Sequence, residues 1–180
     1  MTAWQALVDA ADLRPGQTVL VHAAAGGVGH PAVHIAKLRG AHAIATAGRD
    51  NLDFVRGLGA ETAIDHRARP FEDEVAEADV VLDPVGGDVY RRSFDVLRPG
   101  GVLVSTAEVP DEAAAKGHGV RARWIENGPN GALLREIVGQ VERGRLRPTV
   151  HEVLPLAEAG RAHEISQAGH VHGKLVLRVG

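Results

Sequence analysis

Apolar residues in this chain fall in short runs that alternate with longer stretches of helical spacing. Residues 2–11 place Ala3, Leu7, Ala10 and Ala11 on one helical face with Trp4 beside them, and Arg14-Pro15-Gly16 breaks the pattern as a turn. Thr18–His22 reads as a short buried strand. Helical periodicity returns from Gly27 to Leu38 through Val28, Ala32, Val33, Ile35, Ala36 and Leu38. Pro31 falls in the first turn, where its missing N–H costs little, and Gly40 is placed to cap the end. The spacing then predicts strands over 42–47 and 61–65 and helices over 51–58, closed by Gly59, and 71–77. A strand at Val80–Leu82, a helix over 88–97, a turn at Arg98-Pro99-Gly100-Gly101 and a strand at Val102–Ser105 follow. Past Thr106 the rhythm loosens. Residues 107–118 read as an irregular loop, Val120–Ile125 as a further strand, and Gly131–Arg143 as an amphipathic helix through Leu133, Leu134, Ile137, Val138 and Val141. The chain then reads as strand 149–154, helix 156–168 and strand 174–179.

Strands that alternate with helices at this spacing are joined by right-handed crossovers, so the pattern predicts an α/β fold. It is a doubly wound parallel sheet of Rossmann type in three layers, with a C-terminal strand–helix–strand appendage. We expect a dinucleotide-binding domain over 1–147 and a separate segment over 148–180. The 180 residues suit one ordinary domain with a small addition. Apolar content is mostly Ala, Val and Leu with aromatics at 3%, which favours tight helix-on-sheet packing. The net charge of −3 argues against a nucleic-acid partner. No apolar run is long enough to span a membrane, and no signal peptide opens the sequence, so the cytoplasm is the expected compartment. The absence of cysteine excludes disulfides and Cys-ligated zinc within this chain.

Chemistry concentrates first in Val19-Leu20-Val21-His22-Ala23-Ala24-Ala25-Gly26-Gly27-Val28-Gly29. A buried strand, a glycine turn and a helix start make a site for pyrophosphate: the backbone can approach a ligand and helix N–H groups meet it. Read as G-x-G-x-x-G, the first position is Ala24 and the glycines are Gly26, Gly27 and Gly29. A strand precedes, a helix follows, and a second strand ends near Gly48, which is the context a dinucleotide site requires. The bland reading is a turn that merely needs small residues. No Lys-Ser or Lys-Thr follows, which argues against a nucleotide triphosphate loop.

The end of the second strand discriminates NAD from NADP, because NAD sites place an acid there and NADP sites a cation. Here it reads Gly48-Arg49-Asp50-Asn51. Gly48 stands at the acid position and Arg49 offers a fork that matches a phosphate, so NADP is the favoured cofactor. Arg49 could instead be a solvated charge paired with Asp50, and Asp50 would be the NAD acid if the register slipped by two. Asp83-Pro84-Val85-Gly86-Gly87 lies at the C-terminal end of the fourth strand, where ligands collect in open α/β sheets. Val85 and Gly86 are candidates for the nicotinamide or ribose; the alternative is a strand-to-helix turn with Asp88 as N-cap. Ser105 and Thr106 end the fifth strand on the same edge, where their hydroxyls could meet the cofactor or cap local backbone.

Several stretches together resemble the zinc-independent quinone oxidoreductase branch of the medium-chain dehydrogenases/reductases. They are Thr2–Leu7, Pro15–His22, Ala23–Gly29, Leu58-Gly59-Ala60-Glu61, Ala78–Asp83, Val85-Gly86-Gly87, Leu97–Gly101, Gly144–Pro148, Leu154–Ala159 and Gly169–Leu177. The resemblance implies an NADPH-dependent reductase of quinones or α,β-unsaturated carbonyls. By position, Gly26, Gly27 and Val28 would hold the pyrophosphate and Gly48–Asn51 the adenosine end. His66 falls where relatives often carry Tyr against the cofactor. Val120–Trp124 matches an edge strand through which two subunits join, so Val120–Ile125 is the expected homodimer edge. Full-length relatives also carry an N-terminal catalytic domain, and residues beyond about Arg147 would pack against it. The implied expectation is that this chain alone turns over poorly and that no catalytic residue can be named. Two other functions fit the same residues: a non-catalytic dinucleotide sensor or interaction module, and an enoyl reductase domain of a synthase.

The histidines suggest metals less than they first do. His170-Val171-His172 and His163 lack acidic or Cys companions, and His30 and His34, spaced i, i+4, lack the intervening Glu of a zinc helix. No metal is expected, and His30 and His34 read as a surface stripe. Asp111, Glu112 and the Glu72–Glu77 run read as solvated charge.

Overall fold

Val19 and Val21 pack on one side of the sheet and Leu20 on the other, because successive side chains of a strand alternate faces and both faces here are covered. These residues form β1 (Thr18–Val21), the centre of the computed structural model, which describes residues 1–125, 128–169 and 171–180. β2 (His42–Ala47), β3 (Thr62–Asp65), β4 (Ala78–Asp83), β5 (Leu97–Ser105) and β6 (Arg121–Trp124) complete an all-parallel sheet in the order β3-β2-β1-β4-β5-β6. The order reverses between β1 and β4, which opens a crevice beyond the C-terminal ends of those strands.

One face carries α1 (Thr2–Trp4), which runs on as a π-helical turn over Gln5–Ala10, together with α2 (Gly29–Leu38) and α3 (Leu52–Leu58). Their Ala3, Leu7, Val33, Ala36 and Val55 meet Val80, Leu82, Val102 and Val104 of the sheet. The other face is covered by Phe71, Tyr90 and Phe94 together with α4 (Gly87–Arg92) and α5 (Glu112–Gly117), against Val81 and Leu103. The parallel doubly wound fold in three layers is therefore present as the alternation predicts. Among the described residues no helix is long and apolar enough to cross a membrane.

Four local readings change. Residues 71–77 form only a 3-10 turn at Phe71–Asp73, because buried Phe71 and Val75 pin one turn and β4 starts at Ala78. Residues 107–118 include α5, begun by Asp111, whose carboxylate accepts from Ala114 N–H at 2.9 Å. The Arg98–Gly101 turn is a bulge inside β5: Leu97 pairs with Ala78 and Val102 with Val80, so four residues stand opposite Asp79 alone. Asp79 answers by accepting from Arg98 Nε at 2.6 Å and from Thr18 N–H at 2.8 Å. The 88–97 helix stops at Arg92 and tightens into a 3-10 turn over Ser93–Val96.

α6 (Gly131–Glu142) buries Leu133 and leaves Leu134, Val138 and Val141 exposed. β7 (Val150–Pro155) and β8 (Lys174–Arg178) pair in parallel as a second, two-stranded sheet, joined through a 3-10 turn and α7 (Ala159–Gln167). This arm reaches back to the first domain at the glycine turn, where Gly173 N–H donates to Ala25 C=O, and at α3, where His172 stacks on Phe54.

Candidate functional site

The turn after β1 is tied down before it reaches the helix. His22 N–H donates to Leu82 C=O at 3.0 Å and Ala24 N–H to Thr46 C=O at 2.9 Å, so the loop is anchored to both neighbouring strands. Ala23 takes φ +46°, and Gly26 N–H returns to its carbonyl at 2.9 Å. Gly29 then opens α2 with Val28 as a cap that offers no side-chain acceptor. His30 N–H already donates to Gly26 C=O at 3.1 Å and Pro31 has none, so the N–H groups left for an anion are those of Gly27, Val28 and Gly29. A Cβ on Gly29 would collide with the Ala23 carbonyl oxygen and lie 2.5 Å from Ala24 Cα. Helix and strand are as close as a glycine allows.

His22 sits immediately behind this turn, buried between the layers. Ser93 Oγ spends its proton on Val89 C=O at 2.6 Å, so it accepts from His22 Nε2–H at 3.0 Å. Nδ1 is left as the acceptor for Thr46 Oγ1 at 3.1 Å. Burial pushes the His22 pKa down to about 4, with nearby Glu72 opposing and Arg92 reinforcing the shift. Its folded pKa lies below the ~6.5 of an unfolded chain, so the unfolded state takes up the proton first. The associated stability is complete above pH ~6.5 and is lost as pH falls towards ~4, by roughly 2–3 kcal/mol. Urea denaturation across that window should show this slope in the native protein and a flatter one in His22→Gln; equal slopes would remove His22 as the cause.

A cavity of about 400 Å³ opens beside His22, bounded by Thr46, His66, Phe71, Val85 and Arg92. Arg92 is forked on the Glu72 carboxylate, with its Nη2 at 2.6 Å, and lies 5.0 Å from the Phe71 ring centre. Gly48 and His66 are neighbours at the rim: a Cβ on Gly48 would be 3.9 Å from His66 Cε1. Arg49, Asp50 and Asn51 form a 3-10 turn above it. Arg49 and Asp50 are exposed, and among the described residues no ion pair joins them.

Opposite, the ends of β4 and β5 form one network. Buried Asp83 accepts from Val85 N–H and Gly86 N–H, both at 2.9 Å, and from Ser105 Oγ at 3.0 Å. Ser105 Oγ in turn accepts from Ala107 N–H at 3.1 Å and Glu108 N–H at 2.9 Å. The Ser105 hydroxyl is buried and fully occupied, so of the two roles read from sequence it serves the local backbone and not the crevice. Gly86 (φ +79°) caps α4, and Asp88 lies in its first turn instead of at the N-cap. Glu108 takes the Gly87 N–H at 2.7 Å. Thr106 is half-buried beside them and its N–H donates to Asp83 C=O at 3.0 Å.

His30 is not part of a surface stripe. It is buried, its Nδ1–H donates to Gly26 C=O at 2.9 Å, and its Nε2 accepts from Thr149 N–H at 3.3 Å. Burial holds its pKa below the usual histidine value, with the Gly26 carbonyl opposing and the Lys174 charge adding to the effect. His34 is half-buried. His172 stacks on Phe54 with ring centres 4.8 Å apart, His163 is exposed, and His170 lies outside the described residues. The sequence drew attention to Gly26, Gly27, Val28, Gly29, Gly48, Arg49, Asn51, His66, Val85, Gly86 and Thr106, and the fold brings all of them to the one sheet edge. It assigned no role to the His22 ring, whose partners Thr46 and Ser93 are distant in the chain, or to the Asp83 carboxylate, which joins its own turn to Ser105.

Residues 58–177 match the family described as zinc-binding dehydrogenases. The polyketide synthase GfsB of Streptomyces halstedii is 40% identical over 192 residues, a match that takes in 99% of this chain and 3% of that protein. A quinone oxidoreductase from Coxiella burnetii superposes with a TM-score of 0.93 at 37% identity, and the CurK enoyl reductase with 0.87 at 32%. Each of these two covers 99% of this chain, which spans 57% and 59% of theirs. Among the described residues no three His, Asp or Glu side chains are grouped to hold a metal, and there is no cysteine. Among the described residues the donors present do not fit the zinc of the family's description. By sequence and fold the chain belongs to the zinc-binding dehydrogenase family, as a cofactor-binding domain of the medium-chain dehydrogenase/reductase superfamily.

Proposed function

We propose that this chain binds NADPH along the β1–β4 crevice and orients it for reduction of quinones or α,β-unsaturated carbonyls. The observation that carries the reading is the uncapped start of α2 packed on Gly29 at the point where strand order reverses. Gly27, Val28 and Gly29 take the pyrophosphate through backbone N–H groups, and Gly26, whose N–H is held by Ala23 C=O, shapes the turn beneath it. Thr46, His66, Phe71 and Val85 wall the adenosine cavity, and Gly86 and Thr106 lie towards the nicotinamide half. Bound there, the nicotinamide supplies a hydride; this chain supplies orientation and a dry, shaped edge. The substrate's other wall belongs to a catalytic domain such as the relatives' remaining length would provide.

Arg49 decides the cofactor. It is exposed, without an ion pair among the described residues, next to the position where an acid would select NAD. Calorimetric titration should give NADPH at least about tenfold tighter binding than NADH, equivalent to about 1.4 kcal/mol. Arg49→Ala should erase that gap by weakening NADPH alone. Equal affinities in the native chain overturn the NADP assignment, and absence of binding to either overturns the cofactor site.

The likeness to a polyketide synthase and to the CurK enoyl reductase favours one second reading, in which the substrate is an enoyl thioester on a carrier. The same hydride chemistry serves it. β6 is the exposed edge of the sheet, with Trp124 45% exposed, and on our reading a second copy extends the sheet there.

A further inference from the structure

We propose that His30 is a positioning residue of the cofactor site: as a neutral ring it clasps the C-terminal arm to the glycine turn, and dinucleotide affinity falls when it takes up a proton. This rests on the cofactor reading above and adds to it a dependence on pH. The state of the ring is dictated by its partners. Nδ1 faces Gly26 C=O at 2.9 Å, which can only accept, and Nε2 faces Thr149 N–H at 3.3 Å, which can only donate. One tautomer alone satisfies both, with the proton on Nδ1 and the lone pair on Nε2.

Thr149 is the knot of the arm. It stands just before β7, and its C=O accepts from Lys174 N–H at 3.0 Å, where β8 begins. The preceding Gly173 N–H donates to Ala25 C=O at 2.9 Å. Gly173 permits the approach: it has φ +76°, and a Cβ would collide with the Thr149 carbonyl and lie 2.8 Å from Thr149 Cβ. Ala25 and His30 therefore grip the arm from the two sides of the glycine turn. Held there, the arm closes a cavity of about 490 Å³ over Gly26 and Gly27, walled on its far side by Ala162 and Ser166 of α7. Freeing Thr149 from His30 loosens that wall along the edge where the cofactor is read to lie.

A proton on His30 acts on one contact only. Nδ1–H keeps the Gly26 carbonyl in both states. The imidazolium carries a second N–H on Nε2, aimed at the Thr149 N–H, so an acceptor becomes a donor and the clasp is lost. Nothing around the ring offsets its charge. The charged and titratable groups on the elements packed against it are Lys174 of β8, Arg147 ahead of β7, His34 one turn along α2 and the Met1 amino group ahead of α1. From α6 come apolar Ile137 and Val141. Among the described residues no carboxylate lines the cavity of about 220 Å³ that these groups share. Burial and the Lys174 charge hold the ring below the usual histidine value, so the clasp is closed at neutral pH and opens on the acid side of ~6.5.

The test compares the native chain with His30→Gln, whose amide oxygen reaches for Thr149 N–H and does not titrate, and His30→Asn, which keeps a donor for Gly26 but is too short for Thr149. Each is titrated with NADP⁺, which withstands acid, from about pH 7.5 to about pH 5 (NAD⁺ replaces it if NADH binds more tightly). Hydrogen exchange at the Thr149 amide reads the clasp without ligand. The native chain should lose about five- to tenfold in affinity across that range, and His30→Gln no more than about twofold. His30→Asn should already be weaker by about fivefold at neutral pH. Titration of His22 and of the ligand's own phosphate is common to all three proteins and drops out of the comparison. Thr149 protection should fall together with the native affinity, stay high in His30→Gln and be low throughout in His30→Asn. Equal pH profiles in the native chain and His30→Gln overturn the proposal, as does native Thr149 protection in His30→Asn. A clasp that opens while affinity holds steady confines His30 to structure and overturns its part in binding. Absence of dinucleotide binding at neutral pH removes the cofactor reading and this inference with it, whereas a flat native profile removes this inference alone.

Discussion

Gly29→Ala is expected to abolish dinucleotide binding and to lower stability by at least ~3 kcal/mol, read as the shift in a urea unfolding curve at neutral pH. The added methyl meets the Ala23 carbonyl oxygen and Ala24 Cα, both main chain and both fixed. Ala24 is held by its N–H bond to Thr46 and Ala23 by the Gly26 N–H, so neither can give without releasing the turn from β2. The strain relaxes only by lifting α2 off β1, which opens the Val33–Val19 layer of the core and moves the N–H groups that we propose meet the phosphate. The other glycines of the turn set the scale. A Cβ on Gly26 would stand 3.2 Å from the Ala23 oxygen, a matter of tenths of an ångström. One on Gly27 meets only the flexible end of Lys174. Alanine should therefore cost most stability at Gly29, less at Gly26 and least at Gly27. A Gly29→Ala protein with the native unfolding midpoint sinks this account of the turn.

What could be read from the sequence follows from the range over which each feature is determined. β1, β4 and the second half of β5 are continuous apolar runs because both sheet faces are covered, and that burial is written locally. The glycines that close turns at Gly40 and Gly59 are equally local, at φ +71° and +114°. α5 was missed although Asp111 marks its start, because its alanines carry no apolar stripe. Side-chain partnerships were not legible at all. His22 takes its state from Thr46 and Ser93, 24 and 71 positions away, and His30 is covered by Thr149 at a separation of 119. The spacing of His30 and His34 says that they share a helix face; it cannot say that a distant arm lies on that face. Ser105 was placed on the right edge, but whether its hydroxyl faces a ligand or Asp83 depends on a strand in another part of the chain.

Asp83→Ala is the second large effect, with an expected loss of about 3–5 kcal/mol. The carboxylate is wholly buried and has three donors on it: Val85 N–H, Gly86 N–H and the Ser105 hydroxyl. Removing it strands Gly86 N–H inside the protein, at ~1–3 kcal/mol, while exposed Val85 can turn to water and the Ser105 hydroxyl is left with the residue 83 carbonyl at 3.1 Å. The damage spreads because Ser105 also holds Ala107 and Glu108, and Glu108 holds Gly87. Gly86 and Gly87 sit at φ +79° and +62° only while those acceptors fix them. Asp83→Asn keeps one oxygen for the two N–H groups but turns an NH₂ towards Ser105, whose oxygen already accepts two bonds. It should cost about half as much. Thermal and urea unfolding of both variants check the order; an alanine variant within ~1 kcal/mol of the native protein contradicts it. If the network also shapes the cofactor edge, Asp83→Ala should weaken NADPH even at a temperature where the variant is fully folded. The glycine turn would keep its anchor on β2 through Ala24 N–H and Thr46 C=O, so the loss should fall mainly on the nicotinamide half and spare binding of adenosine 2′-monophosphate.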